Sequence, residues 1–156
     1  NKLLTKHRKS NLNIYSLNLE NPLLLTILHY INIQFTFPKL DVLIDLMREI
    51  PLKNYAMLVF GSYADGTYKS SSDLDLCILV ESKHIGTRIK PYVNEIKFNY
   101  TMNIDEHYIT FSDFVKMLLR DEENLGRQIF KKHKIFYNSD IYYQLIKEAH
   151  KNGFRP

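Results

Sequence analysis

The chain has 156 residues, a length that fits one domain, or one domain with a small appendage. Hydrophobic residues make up 45% of it, so the composition excludes a protein that is mainly disordered. The net charge of +4 permits contact with a polyanion but does not require it. The single cysteine, Cys77, excludes an intramolecular disulfide, and its apolar surroundings predict a buried structural thiol in a reducing cytoplasm.

Residues 1–35 are predicted to form an amino-terminal arm. Two strands, "KLLTKH" and "NIYSLNL", flank the basic turn "RKSN", and a helix is expected from Asn21 and Pro22 to about Ile33. This helix is apolar nearly all round, which favours burial or a contact within a homodimer. It is too short to span a bilayer, so no membrane is expected as a partner.

Residues 36–156 are predicted to form the main domain. Helices are expected over residues 38–50, 85–95, 112–133 and 139–150, with Ser112 as the cap of the third. Strands are expected over residues 55–60, 74–80 and 97–110, the last because Phe98, Tyr100, Met102 and Ile104 alternate onto one face. Strands embedded among helices indicate an α/β or α+β class.

The stretch "FGSYADGTYKSSSDLDL" between two of these strands carries the first candidate site residues. Gly61 and Gly66 allow backbone angles that other residues resist. A turn built on them can direct backbone N–H groups and the Ser62 hydroxyl towards an anion such as phosphate. A Gly-Ser pair is weak evidence by itself, since many strands end in ordinary turns of this kind.

Asp73 and Asp75 are two residues apart on a predicted strand, so both side chains leave from one face. Two bare carboxylates so close repel each other, whereas Mg²⁺ prefers a few carboxylates together with phosphate oxygens and water. The alternative is that Asp73 caps a turn and Asp75 faces solvent. The Gly-Ser turn at fixed spacing and the apolar strands on both sides favour the metal and phosphate site.

The "GS" pair, followed by ten residues and "DLDL", resembles the signature of the nucleotidyltransferase superfamily that includes DNA polymerase beta, and in particular its minimal nucleotidyltransferases. The resemblance covers about residues 38–136 and implies the α+β nucleotidyltransferase fold, a small mixed sheet flanked by helices. It implies that Gly61, Ser62 and Ser72 bind a nucleoside triphosphate, first of all ATP. Asp73 and Asp75 would bind the divalent metal, Mg²⁺ or Mn²⁺. The expected reaction transfers a nucleoside monophosphate to an acceptor and releases pyrophosphate.

A third carboxylate would complete the catalytic and metal-binding set, and Asp105 on the third predicted strand is the residue that we expect to supply it. Glu106 would face the opposite side, and His107 takes the same place in an alternative alignment. A purely structural role for Asp105 at the end of a strand remains open. Many relatives carry a basic residue just before the second glycine, where this chain has Asp65.

The arm segment "LLTKHRKSNLNIYSLN" resembles the wing of a winged-helix DNA-binding domain, which implies contact with DNA and a recognition helix upstream of Asn1. An ordinary edge hairpin is the equal alternative, and the clusters "KHRK" and "KKHK" are most simply solvated surface charge.

Two functions therefore stand. The first is a nucleotidyltransferase whose acceptor is a nucleic acid end, a small molecule or a protein, the last as in antitoxin-type relatives that modify a small helical RNase. The second is a DNA-binding transcriptional regulator with a weakly catalytic, nucleotide-sensing domain. A carboxylate facing Asp73 and Asp75 favours the enzyme, and His or Asn there favours the sensor.

Overall fold

The computed structural model describes residues 3–9, 12–21, 23, 24, 27 and 39–155. Its strands are β1 Leu4–Lys9, β2 Leu12–Leu17, β3 Tyr55–Phe60, β4 Leu74–Val80, β5 Ile104–Thr110 and β6 His133–Tyr137. Its helices with defined bounds are α1 Leu40–Glu49, α2 Gly61–Asp65, α3 Lys83–Tyr100, α4 Phe111–Leu119, α5 Leu125–Lys131 and α6 Ser139–Lys151.

Four strands form a mixed sheet in the order β5-β4-β3-β6. Strand β3 runs antiparallel to both β4 and β6, whereas β4 and β5 are parallel. All six residues of β3 are buried, because the strand lies inside the sheet and both of its faces are covered. The small mixed sheet flanked by helices confirms the predicted fold class.

Two hydrophobic cores lie on the two faces of this sheet. Helices α1 and α3 cover one face, where Leu43, Ile78 and Ile89 have no exposed surface. Helices α4, α5 and α6 cover the other, where Cys77 and Phe114 are equally buried. Burial raises the pKa of the Cys77 thiol well above its usual range, so this residue is the buried thiol that was predicted.

The strand directions bring four chain segments to one edge of the sheet. Because β3 is antiparallel to β4 and β6, the end of β3 lies beside the beginnings of both, with Val59 opposite Leu76 and Phe60 opposite His133. Strand β5 begins beside β4 because the two are parallel. Residues that follow β3, and residues that begin β4, β5 and β6, therefore meet there.

The two predicted arm strands are confirmed as the antiparallel hairpin β1–β2, in which Lys6 lies over the ring of Tyr15 at 5.9 Å from its centroid. The predicted turn over residues 8–11 begins too early, because Arg8 and Lys9 still pair within β1. After the hairpin, the Glu20 carboxylate forms ion pairs with Lys147 and Lys151 on α6. Contact of this hairpin with DNA stays a prediction.

The predicted apolar helix over residues 22–33, with its proposed dimer contact, lies mostly outside the described residues. Within it, Leu23, Leu24 and Ile27 are helical. The boundary between arm and main domain near residue 35 also falls outside them. Among the helices that the structure describes, none is both long enough and apolar enough to cross a bilayer.

The predicted strand over residues 97–110 is wrong in its first half. Helix α3 continues to Tyr100 and ends where Thr101 takes a left-handed conformation with φ 48°, so the strand begins only at Ile104. Phe98 is 85% exposed, whereas Tyr100 and Met102 pack against the core. The alternation that suggested a strand is produced by the end of a helix followed by a turn.

The predicted helix over residues 112–133 is also wrong in extent. It is two helices, α4 and α5, and the missed strand β6 begins at His133. Thr110 rather than Ser112 caps α4, since its hydroxyl accepts a hydrogen bond from the backbone N–H of Asp113 at 3.1 Å.

Candidate active site

The turn after β3 places Gly61 directly against the carboxylate of Asp75. Gly61 has φ +62°, and a Cβ built on it would lie 2.1 Å from Asp75 Oδ2. Any side chain would therefore collide with the carboxylate, in a backbone conformation that already disfavours one. The short helix α2 follows, with Ser62 in its first turn, and ends at Gly66 with φ +82°.

Three aspartates gather at this edge of the sheet. Asp73 lies just before β4, Asp75 lies on it, and Asp105 on β5 is the register partner of Asp75. Burial raises the pKa of the Asp75 carboxyl, and the negative charges of Asp105 and Asp73 raise it further, against the opposing effect of His107. The cluster thus carries negative charge that the protein itself does not neutralise fully.

A divalent cation would fit this cluster as a partly filled site. Among the described residues, no group of three or more His, Cys, Asp or Glu side chains is arranged to hold a metal ion alone. A cation beside Asp75 would therefore complete its shell with oxygens from water or from a bound molecule. Mg²⁺ is usually bound in this way, by one or two carboxylates together with phosphate oxygens and waters.

Of the three candidates for the third site residue, Asp105 and His107 lie on the sheet face of Asp75, and Glu106 lies on the other. His107 shares its face of the sheet, with Nε2 at 3.3 Å from Asp105 Oδ2 and its ring 5.6 Å from that of Phe60. Glu106 points to the other face, as expected, and forms an ion pair with Lys97 of α3. Asp105, which is opposite Asp75, and His107, which is opposite Cys77, therefore both lie on the acidic side.

Comparison with known proteins adds to this geometry. The model of the polymerase beta nucleotidyltransferase family matches residues 44–142, more than half of the chain and the whole of the acidic site. The chain belongs to this nucleotidyltransferase family. Its general function is accordingly of the nucleotidyltransferase type.

A solved structure described as "Crystal structure of the toxin-antitoxin with AMP-PNP" is similar over 72% of this chain and 85% of that chain, at 17% identity and a TM-score of 0.47. Comparison with the curated proteins gives no match.

In this nucleotidyltransferase, Ser72 does not line the cavity that Gly61 and Asp75 share. Its hydroxyl accepts a hydrogen bond from the backbone N–H of Lys69 at 2.9 Å, which closes the turn before Asp73. It lines a small cavity of about 210 Å³ that neither Gly61 nor Asp75 lines. Tyr63 is buried and stacks on Tyr68, with 4.6 Å between the ring centroids, so it is a core residue.

Two lysines that the sequence reasoning did not include lie next to the acidic site. A cavity of about 360 Å³ is lined by Gly61 and Asp75 on one side and by Lys131 and Lys132 on the other. The basic "KKHK" cluster is visible in the sequence, but its closeness to the aspartates depends on β6, a strand that was not predicted. Once β6 is paired with the end of β3, Lys132 necessarily comes close to the Gly61 turn.

A second, larger groove of about 750 Å³ lies beside two of the aspartates. It is lined by Asp73 and Asp105 and by residues from the end of α3, including Asn94 and the exposed Phe98. Asp75 of this nucleotidyltransferase therefore lines one cavity and Asp73 and Asp105 line the other, so a separate molecule can approach the aspartates from each.

Proposed function

We propose that this chain is a Mg²⁺-dependent nucleotidyltransferase that transfers a nucleoside monophosphate from a nucleoside triphosphate, first of all ATP, to an acceptor. The observation that carries the proposal is the contact between Gly61 and Asp75. It puts a carboxylate of raised pKa against a turn with free room for phosphate. Mn²⁺ is the alternative metal, and a protein is the first candidate for the acceptor.

The proposal gives each residue a role. Gly61 and Ser62 bind the β and γ phosphates of the triphosphate. The carboxylates of Asp73, Asp75 and Asp105 would hold the metal together with phosphate oxygens and waters, and the metal would neutralise charge on the phosphates and activate the attacking oxygen. Ser72 supports the site indirectly, because its hydroxyl accepts a hydrogen bond in the turn that positions Asp73.

The reaction follows from this arrangement. The oxygen of an acceptor hydroxyl, whose proton passes to solvent, forms a bond to the α-phosphorus. The bond from that phosphorus to the bridging oxygen breaks, and pyrophosphate leaves with the electron pair. The protein contributes positioning of the two reactants and electrostatic stabilisation rather than covalent chemistry. The two cavities beside the aspartates support it, since they give the nucleotide and the acceptor separate approaches.

The register of the sheet favours the enzyme over the nucleotide-sensing regulator. Asp105, a carboxylate, is opposite Asp75 on the parallel strand and is 59% exposed, so it is accessible to a metal. His107 lies one pleat further along, opposite the buried Cys77.

Calorimetric titration of ATP, with Mg²⁺ and then with EDTA, tests the proposal on the wild type and on Asp73→Asn/Asp75→Asn. We expect binding only with Mg²⁺ and only in the wild type. Asp113→Asn is the matched control, because Asp113 is a half-exposed carboxylate on α4 that pairs with Lys116. Binding that persists in the double variant, or that is absent from the wild type, would contradict the proposal.

The type of transfer needs its own measurement. ATP labelled at the α-phosphate should transfer its label to candidate protein acceptors, whereas ATP labelled at the γ-phosphate should not. Transfer from the γ-phosphate would instead indicate a kinase.

A further inference from the structure

The cavity between the Gly61 turn and α5 has a mixed lining of acids and lysines. Gly61 and Asp65 contribute from α2 and Asp75 from β4, and Glu123, Lys131 and Lys132 contribute from the segment around α5. Helix α5 belongs to the layer on the same sheet face as Cys77, and this is also the face of Asp75. The lysines and the aspartate therefore open onto one space.

Each lysine has one acidic partner. Lys132 Nζ lies 3.4 Å from Asp65 Oδ2, and Lys131 Nζ lies 2.6 Å from Glu123 Oε2. Both lysine side chains are at least 60% exposed, so these ion pairs are surface pairs that stabilise the fold little and can exchange partners. A bound polyphosphate, with several negative charges and many acceptor oxygens, competes well against a single exposed carboxylate.

In the ion pair between Asp65 and Lys132, hydrogen bonds from Thr67 fix the carboxylate, and the lysine is the partner that can move. The Asp65 Oδ1 atom accepts hydrogen bonds from the backbone N–H of Thr67 at 3.0 Å and from its hydroxyl at 2.6 Å. The longer contact to Lys132 is made by the other oxygen. Lys132 can therefore leave Asp65 while the carboxylate keeps its contacts with Thr67.

We propose that Lys131 and Lys132 bind the β and γ phosphates of the nucleoside triphosphate, and that Asp65 and Glu123 hold these lysines when no nucleotide is bound. This inference rests on the proposed function, since it adds contacts to the same triphosphate. It also assigns the nucleotide to the cavity on the α5 side, which leaves the groove beside Phe98 for the acceptor.

Calorimetric titration of ATP, ADP or AMP, each with Mg²⁺ present, into the wild type and into Lys131→Ala/Lys132→Ala tests the inference. We expect the affinity for ATP to fall by roughly tenfold to a hundredfold, because two charge-assisted contacts are lost. The affinity for AMP, which lacks both phosphates, should change much less. Lys116→Ala is the matched control, since Lys116 is 69% exposed and pairs with Asp113 at 3.8 Å outside this cavity.

A second variant tests the same contact in the opposite direction. Asp65→Asn keeps an oxygen that can accept the Thr67 hydrogen bonds but removes the charge that holds Lys132. We expect it to bind ATP more tightly than the wild type by a few fold. This gain cannot come from a damaged fold.

The outcomes separate this inference from the proposed function. A wild type that does not bind ATP with Mg²⁺ overturns both. A wild type that binds ATP, together with a lysine double variant of equal affinity or of equal loss for ATP and AMP, overturns the inference alone. Thermal unfolding of each variant verifies that it is folded, and Lys131→Gln/Lys132→Gln replaces the alanine pair if that pair is not.

Discussion

Gly61 has a left-handed backbone conformation and contacts the Asp75 carboxylate. A side chain at this position would therefore cost free energy twice, through backbone strain and through a clash with Asp75. We expect Gly61→Ala to lower the free energy of unfolding by more than the ~1–2 kcal/mol that a left-handed alanine costs, because Asp75 must also move. It should abolish Mg²⁺-dependent ATP binding as well. Urea unfolding and calorimetry measure the two effects.

Gly66 supplies the control for this substitution. It too has a left-handed backbone, with φ +82°, but no atom lies within 4 Å of the position that a Cβ would take. Gly66→Ala should therefore cost only the conformational part, about 1–2 kcal/mol. Equal losses in the two variants would mean that the contact with Asp75 carries no energetic weight.

The raised pKa of Asp75 predicts a pH-dependent stability. The folded carboxyl binds its proton more tightly than the unfolded one. Folding is therefore coupled to proton uptake at pH values between the usual pKa and the raised pKa, and the fold becomes less stable as the pH rises through this interval. At pH 7 the charged Asp75 therefore destabilises the fold. We expect Asp75→Asn to melt at a higher temperature than the wild type at pH 7, with a difference that narrows as the pH falls through the raised pKa and has closed below about pH 4.

Thermal unfolding at several pH values, with and without MgCl₂, measures this effect. Added Mg²⁺ should raise the melting temperature of the wild type and leave that of Asp75→Asn nearly unchanged. A variant that is less stable than the wild type at pH 7 would contradict the account, because it would mean that the charged carboxylate is already well compensated.

Single site residues were predictable from the sequence to the extent that they are neighbours along the chain. Gly61 and Asp75 lie on either side of one connection between adjacent strands, so their spacing was sufficient to group them. The choice between Asp105 and His107 needed the register of β5 against β4, which no local pattern contains. Lys131 and Lys132 needed a whole strand that was not predicted.

The break between α4 and α5 depends on Asn124. Its Oδ1 accepts a hydrogen bond from the backbone N–H of Arg127 at 3.2 Å, and its amide donates to the carbonyls of Met117 at 2.9 Å and Glu122 at 3.0 Å. One side chain thus caps α5 and joins it to the end of α4. Since α5 carries Lys131 into the cavity, this joint also positions a proposed phosphate ligand.

We expect Asn124→Ala to lower the free energy of unfolding by about 1–3 kcal/mol, because the cap and two further hydrogen bonds are lost. Asn124→Ser keeps a side-chain oxygen that can cap α5 and loses the two amide donations, so its loss should be smaller. Chemical denaturation measures both. Equal losses would mean that the cap contributes nothing beyond the bonds to α4.

At the level of elements, α1 and α6 were predictable because their apolar periodicity reflects burial of one face. Strands β3 and β4 were predictable because their continuous apolar runs reflect burial on both faces. The errors fell where two elements meet. Residues 97–104 combine the end of α3 with a turn, and their accidental alternation imitates a strand. Strand β6 is only five residues long and follows α5 directly, so helical periodicity extends across its start. Its pairing with β3 stabilises it, and that pairing is a tertiary contact.

The arrangement of the whole molecule gives the two sides of the acidic cluster different electrostatic character. On the α5 side, Lys131 and Lys132 are exposed and their acidic partners are replaceable. On the α3 side, Lys97 is bound to the largely buried Glu106 and is therefore not available to phosphate. We therefore expect a triphosphate to bind on the first side and the acceptor to approach past the exposed Phe98 on the second.

Hydrogen exchange measured by mass spectrometry can map this asymmetry over the whole chain. With Mg²⁺ and ATP, peptides that cover residues 61–67 and 125–134 should exchange several-fold more slowly than in the free protein, since bound phosphates order both segments. Peptides that cover residues 92–104 should be unaffected. Asp73→Asn/Asp75→Asn should show no protection in either region. Protection centred on residues 92–104 would reverse the assignment, with the nucleotide in the groove beside Phe98 and the acceptor approaching past the lysines.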